Sequence, residues 1–228
     1  MDKSFSETYL NFERVNWERM KEATVDTLYM TGFSLIAVLI LGFLLGLLLY
    51  TLGRKKSTAY RVLYNVVSVI SNVFRSTPFM ILMVLIMPFT KAITGTIIEP
   101  VAALPALILS AAPFYARMVE IALREISGGV IEAANAMGAT TWQIIYKVLI
   151  PESLPALVSG FTVTAVSMVG FTAMAGAIGA GGLGSLAWSE GFQLNNQTVT
   201  LMATIIILII VFIIQGLGDF LTNKLDKR

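Results

Sequence analysis

Residues 28–52, 154–180 and 197–217 each run the length of a membrane crossing without one charged side chain. About 20 apolar residues in a helix cover the roughly 30 Å hydrocarbon core of a bilayer. Inside lipid every backbone N–H and C=O must be bonded internally, and a helix achieves this within its own segment. Two further apolar spans complete the set. Residues 96–116 carry one acid, Glu99, near their start; residues 77–90 are short alone and are expected to continue a helix that begins near Ala59. With 56% hydrophobic and 13% charged residues among 228, a soluble domain could not hide this much apolar surface. The expectation is an all-α integral membrane protein with five transmembrane helices.

The loops set the orientation. Arg54, Lys55, Lys56 and Arg61 follow the first span, Arg117, Arg124 and Lys147 lie between the third and fourth, and Lys224, Lys227 and Arg228 follow the fifth. The opposite loops hold only Lys91 as a base and only Glu190 as a charge. The positive-inside rule then puts the N-terminus outside and the C-terminus in the cytoplasm. Residues 1–26 read as an extracytoplasmic segment, residues 27–221 as the transmembrane domain and residues 222–228 as a cytoplasmic basic tail. In the first segment Leu10, Phe12, Val15, Trp17 and Met20 suggest an interfacial amphipathic helix; a loosely ordered extension is the other reading.

Histidine and cysteine are absent, which removes the commonest general base, the commonest metal ligand and all thiol chemistry. No ionisable group sits inside the fourth or fifth span, where a proton- or sodium-driven carrier would need one. Gly53-Arg54-Lys55-Lys56-Ser57 lacks the glycine spacing of a phosphate-binding loop. The chain is expected to be non-catalytic, with no cofactor or metal of its own and no feature pointing to nucleic acid.

Between the third and fourth spans the polar stretch of residues about 117–153 is punctuated by breakers. Glu120 and Arg124 form an i,i+4 pair. Ser127-Gly128-Gly129 is expected to stop that helix, and Gly138 to end a two-turn helix over residues 130–137. Thr140 with Gln143 has capping-box spacing, and Pro151 is expected to break the helix it opens. Ser153 and Pro155 would then start the fourth span. The short helix offers Val130, Ile131 and Met137 as an apolar face, Ala133 and Ala134 for close approach, and Glu132 near its positive end. An apolar two-turn helix in water is marginal alone, so it needs a partner surface or its own neighbouring helices.

Elsewhere, Pro78 in Phe74-Arg75-Ser76-Thr77-Pro78-Phe79 breaks the second span. The fourth span carries Gly160, Thr164, Ser167, Gly170, Ala173 and Gly176 at spacings that suit close packing or a polar path. Gly42 and Gly46 form a GxxxG that reads as packing, and Met83, Met87, Met168 and Met174 are read first as gap fillers.

Glu132-Ala133-Ala134, then Gly138, then Val148-x-Ile150-Pro151 after the spacing of the "EAA" loop resembles the cytoplasmic loop of permease subunits of bacterial ABC importers, with two conservative departures at its end. Together with the Phe74–Phe79 stretch and Ala180-Gly181-Gly182-Leu183-Gly184, the likeness narrows to permeases of bacterial methionine importers and covers nearly everything from Thr27 onward. The resemblance implies the type I ABC importer permease fold in the bacterial plasma membrane, multi-pass. It implies a second copy of the chain, two cytoplasmic ATP-binding subunits that carry ATP and Mg, and an extracytoplasmic methionine-binding protein. Val130, Ile131, Glu132, Ala133, Ala134, Met137 and Gly138 would couple to the ATPase. Arg75, Pro78, Ser167, Gly170, Gly181 and Gly182 are the candidate pathway or gating residues. Alternatives left open are a different amino acid or small solute as cargo, and a facilitator or channel that needs no nucleotide.

Overall fold

The computed structural model describes residues 8–55 and 57–226; Lys56, Lys227, Arg228 and residues 1–7 of the N-terminal segment lie outside it. Among the described residues the structure is helical, with no strand. In chain order the helices are α1 (Trp17–Arg54), α2 (Thr58–Ser76), α3 (Phe79–Leu85), α4 (Met87–Thr94), α5 (Pro100–Arg124), α6 (Gly128–Ala136), α7 (Thr141–Ala180), α8 (Gly182–Leu186) and α9 (Gln197–Leu225). Four of them, α1, α5, α7 and α9, are long and apolar enough to cross a membrane. A fifth crossing exists only if α2 and α3 are counted together across their break. Thr77 and Pro78 form that break, with Pro78 at φ −55° and ψ 131°, as its missing N–H requires.

The helices overrun the spans expected from hydropathy, because a helix ends where its backbone is capped and not where the lipid ends. In α1 the cap is Asn16, whose Oδ1 accepts from the backbone N–H of Glu18 and Arg19 at 3.1 Å each. The helix then continues for 38 residues without a boundary at position 26.

The described residues divide into two units, one of residues 8–36, 77–110 and 165–214, the other of residues 37–55, 57–76, 111–164 and 215–226. In the first, Val15, Met20, Ala23, Val169, Leu183, Leu186, Val199, Ala203 and Ile210 form a buried cluster. Val15 and Met20 therefore face protein, while Leu10, Phe12 and Trp17 remain exposed. The expected interfacial helix is corrected accordingly: its apolar residues divide between a protein-facing and an outward set. Arg19 pairs with Glu190, and Asn196 Nδ2 donates to the Arg14 carbonyl at 3.0 Å, so the segment before the first span is tied to the α8–α9 connection.

In the second unit the α1 GxxxG packs against α5. A Cβ on Gly46 would lie 2.5 Å from the Ala116 carbonyl oxygen, and one on Gly42 would lie 2.9 Å from that of Ala112. The Glu120–Arg124 pair is present at 2.7 Å.

Pro151 does not break its helix. Residues Ile145–Leu149 form a wider π turn ahead of it, and α7 continues through Pro151 and Pro155. A wider turn carries an i→i+5 pattern, which relieves the contact between a proline ring and the carbonyl one turn earlier. The Ser153 hydroxyl adds bonds to the Leu149 and Ile150 carbonyls at 2.7 and 3.3 Å.

Candidate functional site

The loop between α5 and α7 is built from two caps placed back to back. Gly138 follows α6 at φ +79°, a left-handed conformation that glycine adopts without steric cost. Its N–H bonds the Asn135 carbonyl at 2.9 Å and the Ala139 N–H bonds that of Ala134 at 3.1 Å, the two bonds of a Schellman motif. Two residues on, Thr140 opens α7 with a complete capping box: the Thr140 N–H donates to Gln143 Oε1 at 2.8 Å and the Gln143 N–H donates to Thr140 Oγ1 at 3.3 Å. The corner is thus fully bonded. Gly138 ends α6 as expected, whereas Gly128 and Gly129, expected to stop the preceding helix, lie in the first turn of α6, and α5 ends earlier at Arg124.

The short helix has two faces. Ile131 and Ala134 are buried, and Val130, Glu132, Ala133 and Met137 are exposed, Met137 at 82%. Trp142 and Tyr146, one turn apart on α7, are exposed at 69% and 60%. Sequence reasoning passed over these two aromatics because it read their segment as a short separate helix ended by Pro151, and the capping box says nothing about which of its faces is covered. The signal was their spacing: two aromatics one turn apart directly after the capped corner share a helix face beside the exposed Met137. Behind α6 a cavity of about 240 Å³ is lined by Tyr50, Arg54, Ile131, Asn135, Ile144 and Leu149, among others.

On α7 the expected polar path is mostly consumed by packing. A Cβ at Gly160 would meet Met118 at 2.8 Å, and one at Gly176 would meet the Ser185 nitrogen at 2.5 Å. Thr164 is buried, with its hydroxyl bonded to the Gly160 carbonyl at 2.7 Å. The half-buried Ser167 and the exposed Gly170 lie in a row with the exposed Val163 and Met174, spaced by four, three and four residues. A Cβ at Gly170 would have nothing within 4 Å. Met83 and Met168 are buried, as gap fillers should be, whereas Met87 is half-buried and Met174 is exposed, so the gap-filler reading is corrected for Met174.

Gly181 and Gly182 sit at a sharp corner with φ +79° and +77°. The corner rests on α1: Leu183 N–H donates to Thr27 Oγ1 at 2.9 Å, and a Cβ on Gly182 would lie 2.8 Å from that same oxygen. At Gly181 a Cβ would lie 3.1 Å from Asp26 Oδ2. Arg75 is exposed and donates to Asn72 Oδ1 at 3.3 Å. Just past the exposed Pro78, Phe79 stacks on Phe171 with centroids 5.1 Å apart.

The binding-protein-dependent transport system inner membrane component family covers residues 39–227. The chain belongs to this family. It is 55% identical over 217 residues to the methionine import system permease protein MetP of Bacillus subtilis (strain 168), spanning 95% of this chain and 98% of that protein. It is 43% identical over 212 residues to the probable D-methionine transport system permease protein MetI of Pasteurella multocida (strain Pm70), spanning 93% and 98%. The fold matches a chain from the inward-facing MetNI methionine ABC transporter with a TM-score of 0.86 and 44% identity, over 91% of this chain and 96% of that one. An amino acid ABC transporter at 17% identity and TM-score 0.73 shares the fold. The family members are inner membrane components, which agrees with the multi-pass, all-helical architecture described above.

Proposed function

We propose that this chain is the membrane-spanning permease subunit of an ATP-driven methionine importer. The observation that carries the reading is 55% identity to a methionine import permease across nearly the whole of both chains. The chain pairs with a second copy and with two cytoplasmic ATP-binding subunits, and an extracytoplasmic binding protein delivers methionine. ATP and Mg belong to the ATPase subunits, and this chain is non-catalytic. The N-terminus lies outside and the C-terminus in the cytoplasm, as the loop charges require.

Coupling runs through α6 and the corner that follows it. Val130, Glu132, Ala133, Met137 and the cap glycine Gly138 meet the ATPase, joined by Trp142 and Tyr146, while Ile131 and Ala134 fasten the helix to its own protein. The exposure of this face and the bonded corner behind it support a lever that transmits displacement without bending. The row Val163, Ser167, Gly170 and Met174 is the wall of the translocation pathway, with Arg75 and Pro78 at the break in the second span as gating elements. Gly181 and Gly182 hold the α7–α8 corner on α1.

The pathway assignment has a direct test. A Cβ at Gly170 meets nothing within 4 Å and the position faces outward, so with Gly170→Phe assembly and ATP hydrolysis are expected to persist while methionine uptake falls at least about tenfold. Uptake at the wild-type rate would remove this face from the pathway.

The function itself is tested by reconstituting the chain with its copurifying ATPase in liposomes, adding binding protein, and measuring radiolabelled methionine uptake. Uptake that requires ATP and is competed by unlabelled methionine is the expected result. Hydrolysis without methionine uptake would change the cargo. Flux without nucleotide and without any copurifying ATPase would replace the importer by a facilitator.

A further inference from the structure

Glu120 is the one acidic residue among the described residues classed as buried, at 1% exposure. Its Oε1 accepts from the Tyr64 hydroxyl at 3.0 Å and from Arg124 Nε and Nη2 at 3.1 and 2.7 Å. Its Oε2 accepts from Arg117 Nη1 at 2.7 Å. The cluster gathers parts of three helices. Glu120, Arg117 and Arg124 belong to α5, Tyr64 to α2, and a Cβ on Gly53 of α1 would lie 2.7 Å from Arg124 Nη2. The Arg124 guanidinium carbon also stands 5.9 Å from the centre of the Tyr64 ring.

A buried carboxylate with two arginines offsets its desolvation without adding much net stability, so its presence points to positional specificity. The Tyr64 bond is the informative member. Helix α2 has no fully buried residue, only half-buried ones such as Tyr64, Val67 and Phe74, so no apolar anchor of its own fixes its place within its unit. A hydroxyl aimed at a buried carboxylate gives it one directional attachment. On the other side of the cluster, α5 ends at Arg124, and Ser127 opens α6 three residues later. Any displacement of α6 reaches Glu120 through that last turn of α5. At the far end of α2 stand Arg75 and then the Thr77–Pro78 break.

We propose that the Tyr64–Glu120 hydrogen bond is the latch through which movement of the coupling helix is passed to the second span. Tyr64 is a positioning residue. It holds α2 to the end of α5 that α6 pulls on, so that a displacement made at the ATPase reaches Arg75 and Pro78. The inference rests on the importer reading given above.

Tyr64→Phe tests it cleanly, because both arginines remain on Glu120 and no buried charge is left unpaired. In the complete reconstituted complex, wild type and variant are compared for ATP hydrolysis, methionine uptake and thermal midpoint. The expected result is hydrolysis within about twofold of wild type and uptake per ATP lowered by about fivefold or more, the lower range of measured site-to-site couplings. An unchanged uptake-to-ATP ratio overturns the latch. So does a parallel fall of uptake, hydrolysis and thermal midpoint, which would reduce Tyr64 to a structural contact. A wild-type complex that hydrolyses ATP but moves no methionine would instead overturn the importer reading itself.

Discussion

Replacing Gly138 with valine is expected to abolish ATP-driven uptake while the chain still inserts into the membrane. At φ +79° a Cβ would meet nothing within 4 Å, so the penalty is purely that of the backbone. For an ordinary residue the left-handed conformation costs about 1–2 kcal/mol, and a β-branched one stands at the unfavourable end. About 1.4 kcal/mol is a tenfold change in an equilibrium. The energy is small against the whole fold but large against one corner. Relief requires Gly138 to leave the left-handed region, which breaks the bonds from Gly138 to Asn135 and from Ala139 to Ala134 and releases α6 from its angle to α7. Gly138→Asn is the graded control, since asparagine tolerates this region best after glycine. Uptake and capture of the ATPase should both fall in the order Gly, Asn, Val. Undiminished uptake by the valine variant would show that α6 does not need its cap to couple.

The second large effect is expected at Gly46, where leucine should prevent stable folding. The Ala116 carbonyl oxygen 2.5 Å from its would-be Cβ is backbone, and the Val119 Cβ at 2.6 Å is fixed to it. Neither can give way without separating α1 from α5 along their contact. In lipid this contact has no hydrophobic driving force behind it, because the acyl chains are as apolar as leucine. Dispersion across the close approach is what holds the pair, and a forced gap forfeits it. Overpacking costs about 1–3 kcal/mol and at times more. Gly32→Leu supplies the comparison on the same helix, since a Cβ there has nothing within 4 Å. Thermal unfolding in detergent should show Gly32→Leu close to wild type and Gly46→Leu strongly lowered or aggregated. Equal behaviour of the two would mean that α1 and α5 are not joined at this point.

These two glycines illustrate how differently the features of this chain were legible. Gly138, the Thr140–Gln143 capping box and the Pro78 break are local: a missing N–H, a left-handed residue or a side chain reaching three positions along acts within one turn. The membrane crossings are equally local, because each segment must bond its own backbone in lipid. Pro151 looked just as local and was not, since the π turn at Ile145–Leu149 made room for it.

The faces were not legible. In a soluble helix the buried side is the apolar side, but a lipid-facing side is apolar too, so periodicity loses its meaning inside the bilayer. Nothing in the order of residues on α7 separates the buried Thr164 from the exposed Gly170. Nor does it reveal that Gly182 presses on Thr27, or that Glu120, one half of an ordinary i,i+4 pair, also receives the hydroxyl of Tyr64 fifty-six residues away. The amino-acid sequence by itself determined the crossings, the polar loop, its caps and the family, because each depends on chemistry within a few residues. Only the tertiary structure decided which side of each helix meets protein, because in lipid that choice is made by shape and close approach and leaves no trace in polarity.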